Sequence, residues 1–307
     1  MASDYIFPCV IVRSKETDLL THEEILKITE LRTVQDIMNV LALHGYGDGT
    51  ELENPRDFEK ILSENLEETY KEVYSVISDE SELNFLKYPN DYHNLKVLLK
   101  AEFLESDGSE ILMDSGSIPK EEMADMVRKR DFLGMTVEMR GAVEDAIEQF
   151  ARSQDPQEID IRLDRACYKD MYQAAEESGN EFLKGYVRML IDTLNVNAYV
   201  RLKEVGKPAA FFKRVFLEGG DLDESGVERE ASNVLTKVGR TGVEKYLEDQ
   251  RMDYVKDALY VPFGIEPIVG YLRAKEAEVK DLRMILTGKV SGMDSEAIKE
   301  RLRDTYV

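Results

Sequence analysis

The feature that most constrains this chain is a short cassette that occurs three times at roughly domain spacing. The copies are Asp91–Lys100, Asp192–Arg201 and Glu278–Thr287, and their first acids lie 101 and 86 residues apart. Each copy reads acid, two spacers, Asn or Asp, an aliphatic residue, a polar residue and then an apolar run. Self-similarity at such spacing indicates a repeated architecture. The cassettes therefore predict three lobes of one design, as in a scaffold or ring-like adaptor.

Composition and helix signals predict an all-α fold. Long proline-free intervals are rich in strong helix formers, and few segments alternate with a period of two. Capping patterns predict helix starts near Thr21, Ser117, Ser225 and Asp294. Turn-rich breaks divide the chain into predicted lobes at 1–108, 109–206 and 207–307. Each lobe is large enough to bury a core of its own.

The second cassette predicts a helix with a polar face. Asp192, Asn195 and Tyr199 share one helical face, because residues three and four apart are neighbours on a helix. Buried amides normally satisfy backbone groups nearby, so the favoured interpretation is a core helix whose polar face bonds a neighbouring loop or lobe. The alternative is a joint between lobes or with a partner.

The charge of the chain limits its partners. A net charge of −22 argues against binding nucleic acid, whose affinity comes from Lys and Arg, and against direct attraction to an anionic membrane. The most apolar stretch, Phe182–Val200, contains charged residues and is predicted to be a buried helix. The apolar patch Tyr5–Val12 lacks the features of a signal peptide. Cys9 and Cys167 form no motif and are predicted to be buried free thiols in a reducing compartment.

No catalytic, cofactor-binding or metal-binding residues are predicted. The glycine-rich stretch Gly45–Gly49 lacks the Gly-Lys-Ser/Thr of a phosphate-binding loop and is interpreted as a turn after a helix. Asp221–Gly226 begins like a calcium loop, but the twelfth position is Ser232, where a Glu is required. The three histidines have no metal-ligand spacing, and they are His22, His44 and His93.

Several stretches together resemble a known family. They are Tyr88–Lys96, Ile161–Arg165, Gly179–Leu183, Asp192–Asn195, Gly288–Met293 and Ile298–Arg303, and similarity is also seen at Arg13, Leu19-Leu20 and Tyr46-Gly47. Because these motifs occur in this order and spacing, the chain resembles the C subunits of archaeal and bacterial V/A-type rotary ATPases. That family includes the d subunit of the eukaryotic vacuolar enzyme. Two departures from the pattern are the N-terminal Tyr5–Cys9 and Asp281, which stands where Asn is expected.

The resemblance implies a pseudo-threefold funnel of three helical lobes and no active site. It implies a non-catalytic central-stalk adaptor that links the shaft subunits, of D and F type, to the membrane proteolipid ring. Such an adaptor couples ATP hydrolysis or synthesis to proton or sodium transport. It would lie at the cytoplasmic face, held by protein contacts, with no cofactor, nucleic acid or direct lipid binding. The alternatives are a helical-repeat scaffold for another protein partner and an all-α enzyme with an acidic site.

Overall fold

The computed structural model describes residues 5–307, which form fourteen α-helices and no β-strand. The predicted all-α class is confirmed. The helices are α1 (Ile6–Glu16), α2 (His22–Glu30), α3 (Val34–Ala42), α4 (Phe58–Ser75), α5 (Tyr88–Phe103), α6 (Lys120–Lys129), α7 (Val137–Ser153), α8 (Gln157–Ser178), α9 (Glu181–Glu204), α10 (Ala209–Val215), α11 (Glu224–Val238), α12 (Val243–Lys256), α13 (Ile265–Val290) and α14 (Ser295–Lys299). Short 3-10 turns lie at Glu80–Leu86, Ser109–Ile111 and Asp257–Tyr260.

Residue contacts group the described chain into two compact units. The terminal unit joins the residues up to Ser78 to Val238–Val307, and the central unit is Asp79–Lys237. The two ends of the sequence therefore build one body. The division into three lobes at 1–108, 109–206 and 207–307 stays a prediction.

The core of the terminal unit forms around the long helix α13. Apolar side chains of α2, α3 and α4 pack against the side chains of α13 and against Ile298 and Leu302 beyond it. Tyr46, from the turn after α3, is fully buried in this core. Each buried Leu or Ile contributes about 1.5–3 kcal/mol by leaving water. Helices from opposite ends of the chain are thus held together mainly by apolar burial.

The central unit is built on α8. Both α7 and α5 pack along α8, and α9 follows it after the left-handed residue Gly179. Leu183, Val187 and Leu190 on α9 are buried, as predicted for the apolar stretch Phe182–Val200. None of the fourteen helices among the described residues combines the length and the hydropathy needed to span a bilayer.

The predicted helix starts are right in two cases and shifted in two. Thr21 and Glu24 form a full capping box on α2, and Asp294 caps α14. Near 225 the cap is Asp223, which accepts the backbone N–H of Gly226 at 2.7 Å. Near 117 the helix begins at Lys120, because the Ser117 hydroxyl is already committed to Asp91.

Candidate functional site

The first cassette holds a loop against helix α5 through two side chains that are fully buried. Asn94 donates to the carbonyl of Met113 at 2.9 Å and accepts the Met113 N–H at 2.8 Å. Asp91 accepts the backbone N–H groups of Ser117 at 3.0 Å and Ile118 at 3.1 Å, just before α6. We call such a set a clamp, because two side chains of one helix fix both ends of a loop.

The second cassette repeats this geometry on α9. Asn195 donates to the carbonyl of Leu217 at 2.8 Å and accepts its N–H at 2.9 Å. Asp192 accepts the N–H groups of Asp221 at 3.0 Å and Leu222 at 3.1 Å, just before α11. Tyr199, on the same helical face, donates to Glu228 at 2.7 Å. The prediction that this face bonds a neighbouring loop is confirmed.

The third clamp, on α13, uses two acids one turn apart, and they hold two different segments of the chain. Asp281 has a carboxyl in place of the amide, and it accepts both the backbone N–H of Arg303 at 3.3 Å and the Arg303 guanidinium at 3.0 Å. The clamped residue lies 22 positions after Asp281, as Leu217 lies after Asn195. In this clamp the second hydrogen bond is donated by the side chain of the clamped residue Arg303, and not by an amide of the cassette helix.

Glu278, the first acid of the third cassette, holds a loop from the other end of the chain. Glu278 accepts the backbone N–H of Leu20 at 2.5 Å, two residues before α2 begins. Ile118 and Leu222 occupy the same place, each two residues before its helix. The third clamp is therefore completed by N-terminal residues, which the predicted lobe at 207–307 left out.

The length of each clamp acid matches the loop that it holds. Gly116 and Gly220 lie so close to Asp91 and Asp192 that a Cβ on either glycine would overlap the carboxylate. Asp18 takes the corresponding place two residues before Leu20, and there the acid is Glu278. The longer acid thus faces the one loop of the three that carries a side chain at this position.

The third clamp is also the most highly charged. Glu278 accepts from Tyr46 at 2.5 Å and pairs with the buried Lys275 at 2.9 Å. The ammonium of Lys275 lies 4.1 Å from the centre of the Tyr46 ring, a cation–π contact. This network satisfies every charge that it buries, as a stable buried ion pair requires.

Burial changes the acidity of the clamp carboxyls. It raises the pKa of Asp91 and of Asp192, while the backbone N–H groups that they accept act in the opposite direction. Burial raises the pKa of Asp281 to about 7. The hydrogen bond from the backbone N–H of Arg303 acts on that pKa in the opposite direction.

Within the terminal unit, side chains of α1 bind residues near the end of the chain. We call the contacts of Arg13 and Glu16 with these residues the latch. Arg13 donates to the carbonyls of Ala258 at 2.8 Å, Leu259 at 3.2 Å and Val261 at 2.7 Å, and it pairs with Glu16 at 2.7 Å. The buried Tyr306 hydroxyl donates to Glu16 at 3.3 Å. One arginine thus satisfies three backbone carbonyls at the 3-10 turn Asp257–Tyr260 and just after it.

Outside the clamps and the latch, residues 5–307 include two cysteines and a groove between α7 and α8. No group of three or more His, Cys, Asp or Glu side chains among residues 5–307 is placed to hold a metal ion. Cys9 and Cys167 are free and buried, as predicted. A groove of about 530 Å³ lies between α7 and α8. Its cations pair with its carboxylates, as Arg162 does with Asp145 at 2.6 Å.

A family of ATP synthase subunits matches nearly the whole of this chain. The sequence profile of the ATP synthase (C/AC39) subunit family matches residues 8–301. The chain belongs to this family. Membership makes it a non-catalytic subunit of a V/A-type ATP synthase or ATPase.

Individual relatives span nearly the whole chain. The chain is 22% identical to the C subunit of the A-type ATP synthase of Methanocaldococcus jannaschii, over 97% of this chain and 86% of that protein. It is 22% identical to the C subunit of the V-type sodium ATPase of Enterococcus hirae, over 96% of this chain and 97% of that protein. It is 25% identical to the C subunit of the A-type ATP synthase of Methanothermobacter thermautotrophicus, over 97% of this chain and 87% of that protein.

Sequence reasoning found the clamp side chains but not all of their partners. The cassettes located Asp91, Asn94, Asp192 and Asn195, together with the third pair on α13. The roles of Leu20 and Arg303 were missed, because nothing local in a sequence links residue 20 to residue 278. A usable signal was present in the loops, since Gly116 and Gly220 precede α6 and α11 at the same distance from Ile118 and Leu222.

Proposed function

We propose that this family member is the central-stalk adaptor of its complex. It would link the rotating shaft, of D- and F-type subunits, to the membrane proteolipid ring. ATP hydrolysis or synthesis would thereby be coupled to proton or sodium transport. The proposal includes the three-lobed funnel expected from the sequence, with the shaft in its cavity.

The observation that carries the proposal is the clamp and its three occurrences. An adaptor transmits torque without chemistry, so the loops between its helices must not yield. Moving one charge across 100 mV is worth about 2.3 kcal/mol, and several charges load the joints together. In each clamp the two side chains of the cassette helix make at least three hydrogen bonds to the segments that they hold, and such bonds are costly to leave unmade in the interior.

The location proposed is peripheral, at the cytoplasmic face of the membrane. The net charge of −22 opposes direct contact with anionic lipid, so the attachment is assigned to protein contacts with the ring. The V-type and A-type relatives include a protein of a sodium ATPase, and the ion used by this complex is left open between protons and sodium.

The test compares membranes that contain the ring with membranes that lack it. The purified chain should sediment with ring-containing vesicles and should stay in solution with protein-free vesicles of the same lipids. It should also bind the purified shaft, and it should show no ATPase activity by itself. Equal binding to both kinds of vesicle would contradict the proposal. Binding to neither ring nor shaft would favour a scaffold for another partner.

A further inference from the structure

Residues 303–307 lie across the terminal unit without belonging to any of its helices. Leu302, just before them, is buried in the apolar core around α13, and its carbonyl accepts from Lys245. Among the described residues, none of 303–307 makes a backbone-to-backbone hydrogen bond. We call residues 303–307 the strap. It is an irregular segment that starts from a fixed point in the core.

Carboxylates from three helices hold the strap. They belong to Asp281 on α13, Asp249 on α12 and Glu16 on α1. The backbone N–H of Arg303 donates to the first at 3.3 Å, the backbone N–H of Asp304 donates to the second at 2.8 Å, and the hydroxyl of Tyr306 donates to the third at 3.3 Å. The contacts of the strap therefore depend on side chains that can take up a proton.

The site between the strap, α12 and α13 contains more carboxylates than cations. The guanidinium of Arg303 contacts three carboxylates, those of Asp281 at 3.0 Å, of Glu244 at 3.8 Å and of Glu248. Lys280 of α13 also pairs with Glu244 and Glu248. Among the described residues, the five carboxylates and four cations of this site are Glu244, Glu248, Asp249, Asp281, Asp304, Lys245, Arg251, Lys280 and Arg303. One negative charge is thus left without a balancing cation.

The groups around this site do not supply the missing cation. Two ion pairs next to it are each neutral overall, and they are Lys275 with Glu278 on α13 and Arg13 with Glu16 on α1. The loop before α2 contributes the apolar Leu19 and Leu20. Asp281 is buried, whereas the other four carboxylates of the site are not. A proton on Asp281 therefore removes the excess charge at the place where water stabilises it least.

The strap is not closely packed on the residues beneath it. A cavity of about 10 Å³ lies under residues 304–307, and it is lined by Glu278 and Asp281 of α13 and by Leu19 and Leu20. This space is about that of one water molecule. A segment with no backbone partner and a gap beneath it is the kind that opens locally while the rest of a fold stays intact.

We propose that the strap opens and closes while the rest of the terminal unit stays folded, and that a proton on Asp281 sets the balance between the two states. The closed strap keeps Asp281 away from water, which favours the neutral carboxyl. The open strap admits water, which favours the carboxylate. The strap therefore opens more often as pH rises, and each opening uncovers Leu19, Leu20 and the acids of the third clamp. This inference goes beyond the proposed function and does not depend on it.

The acidity of the carboxyls under the strap agrees in direction. Burial raises the pKa of Asp281 from 3.8 to about 7. Burial also raises the pKa of Asp249, while the backbone N–H of Asp304 acts in the opposite direction. An acid whose pKa is raised in the closed state favours closure below its ordinary pKa, and that contribution is lost as pH rises through the raised value. Opening is therefore expected to increase between about pH 4 and 7 and to level off above.

The experiment is hydrogen–deuterium exchange of the full chain, read by mass spectrometry at several pH values between 5 and 8. Rates are converted to protection factors, which removes the intrinsic dependence of exchange on pH. The reference is the amide of Leu20, which Glu278 holds in the same unit. We expect the amides of Arg303 and Asp304 to be less protected than this reference at every pH. Their protection should fall at least about tenfold between pH 5 and 7.5.

Three variants separate the proton on Asp281 from other causes. In Asp281→Asn, which cannot ionise, the protection of the strap should lose most of its pH dependence. Asp253→Asn removes an exposed carboxylate of α12 that does not hold the strap, and it should keep the wild-type pH dependence. Tyr306→Phe removes the hydrogen bond to Glu16, so it should lower the protection of the strap at every pH without changing the pH dependence.

Two results would overturn the inference. Equal protection of the strap and of Leu20 would show that the strap opens only when the whole unit unfolds. A pH dependence in Asp281→Asn as steep as that of the wild type would show that this proton does not set the balance. If Asp281→Asn does not fold, constant protection of the strap across pH in both the wild type and Tyr306→Phe would reject the proposal. None of these outcomes bears on binding to the shaft or the ring.

Discussion

At the scale of single residues, the clamps show why an amide is used at a buried loop contact. One Asn side chain can donate and accept at once, so it satisfies both backbone groups of one loop residue. Asn94 and Asn195 do this for Met113 and Leu217. Without that side chain two backbone groups would be buried unpaired, which the interior penalises more than a missing contact.

Replacing Asn195 by Ala should therefore be strongly destabilising. We expect the free energy of unfolding to fall by about 2–4 kcal/mol, because Leu217 loses both hydrogen bonds and the side chain leaves a small cavity. Urea unfolding followed by circular dichroism measures the change. Asn233→Ala is the control, since Asn233 is exposed on α11 and its side chain donates to the neighbouring Glu230 at 3.3 Å. A loss as small as that of the control would show that the clamp contributes little.

Asp281 makes stability depend on pH. Burial raises its pKa from 3.8 to about 7, so between these values the folded chain holds a proton that the unfolded chain has released. The unfolded state then binds fewer protons, and the contribution of this group to stability falls as pH rises from about 4 to 7. By pH 7 the loss reaches up to about 4 kcal/mol.

Asp281→Asn should remove this dependence. The variant has the amide of the other two clamps, and we expect its stability to rise relative to the wild type as pH increases from 4.5 to 7.5. Urea unfolding at intervals across that range measures the difference. Asp253→Asn, at an exposed site on α12, is the control for the loss of one carboxylate. Parallel curves for Asp281→Asn and wild type would contradict a raised pKa.

At the scale of helices and loops, the spacing between a cassette helix and its loop is set by glycine. Gly116 and Gly220 have no side chain to separate the loop from Asp91 and Asp192. Neither glycine has a positive φ, so alanine is compatible with the backbone at both positions. Glycine is therefore needed at both positions only because there is no room for a side chain.

Gly220→Ala should weaken the second clamp. The added Cβ displaces the Asp192 carboxylate from the N–H groups of Asp221 and Leu222, and we expect a loss of about 1–3 kcal/mol. Gly141→Ala is the matched control, because a Cβ there meets no atom within 4 Å on helix α7. That control should gain up to about 1 kcal/mol from helix propensity. Thermal and urea unfolding of both variants compare the effects, and a gain at both positions would refute the steric explanation.

At the scale of the molecule, the third clamp and the latch join the two ends of the chain. Glu278 holds Leu20, and Glu16 meets Tyr306, so the terminal unit contains helices from both termini. A repeat that is completed across the termini has no unique starting point. The present ends of the chain are one of several places where such a sequence could be opened.

A circular permutant tests this property directly. Val307 would be joined to Met1 by a flexible linker of about ten residues, and the chain would be opened at the exposed Gly179 between α8 and α9. We expect wild-type helical content and a free energy of unfolding lowered by only a few kcal/mol. The control is opened inside α13, between Arg283 and Met284, and should not fold. Failure of both permutants would show that the present termini are required.

The sequence by itself determined the helical class, the repeated cassette and the residues that would be buried in it. These follow from local patterns, since helix propensity, capping and apolar spacing act over a few residues. The Asn195 face could be predicted to bond a loop because a buried amide needs partners. The family resemblance could be recognised for the same reason, from short motifs in order.

Only the tertiary structure decided which loop each clamp holds. The contact between Glu278 and Leu20 spans 258 positions, and no local preference encodes such a pairing. The choice depends on how closely two backbones approach, and that distance is set by packing of the whole unit. The same packing raises the pKa of Asp281, because removal from water arises only when the surrounding helices close over the carboxyl.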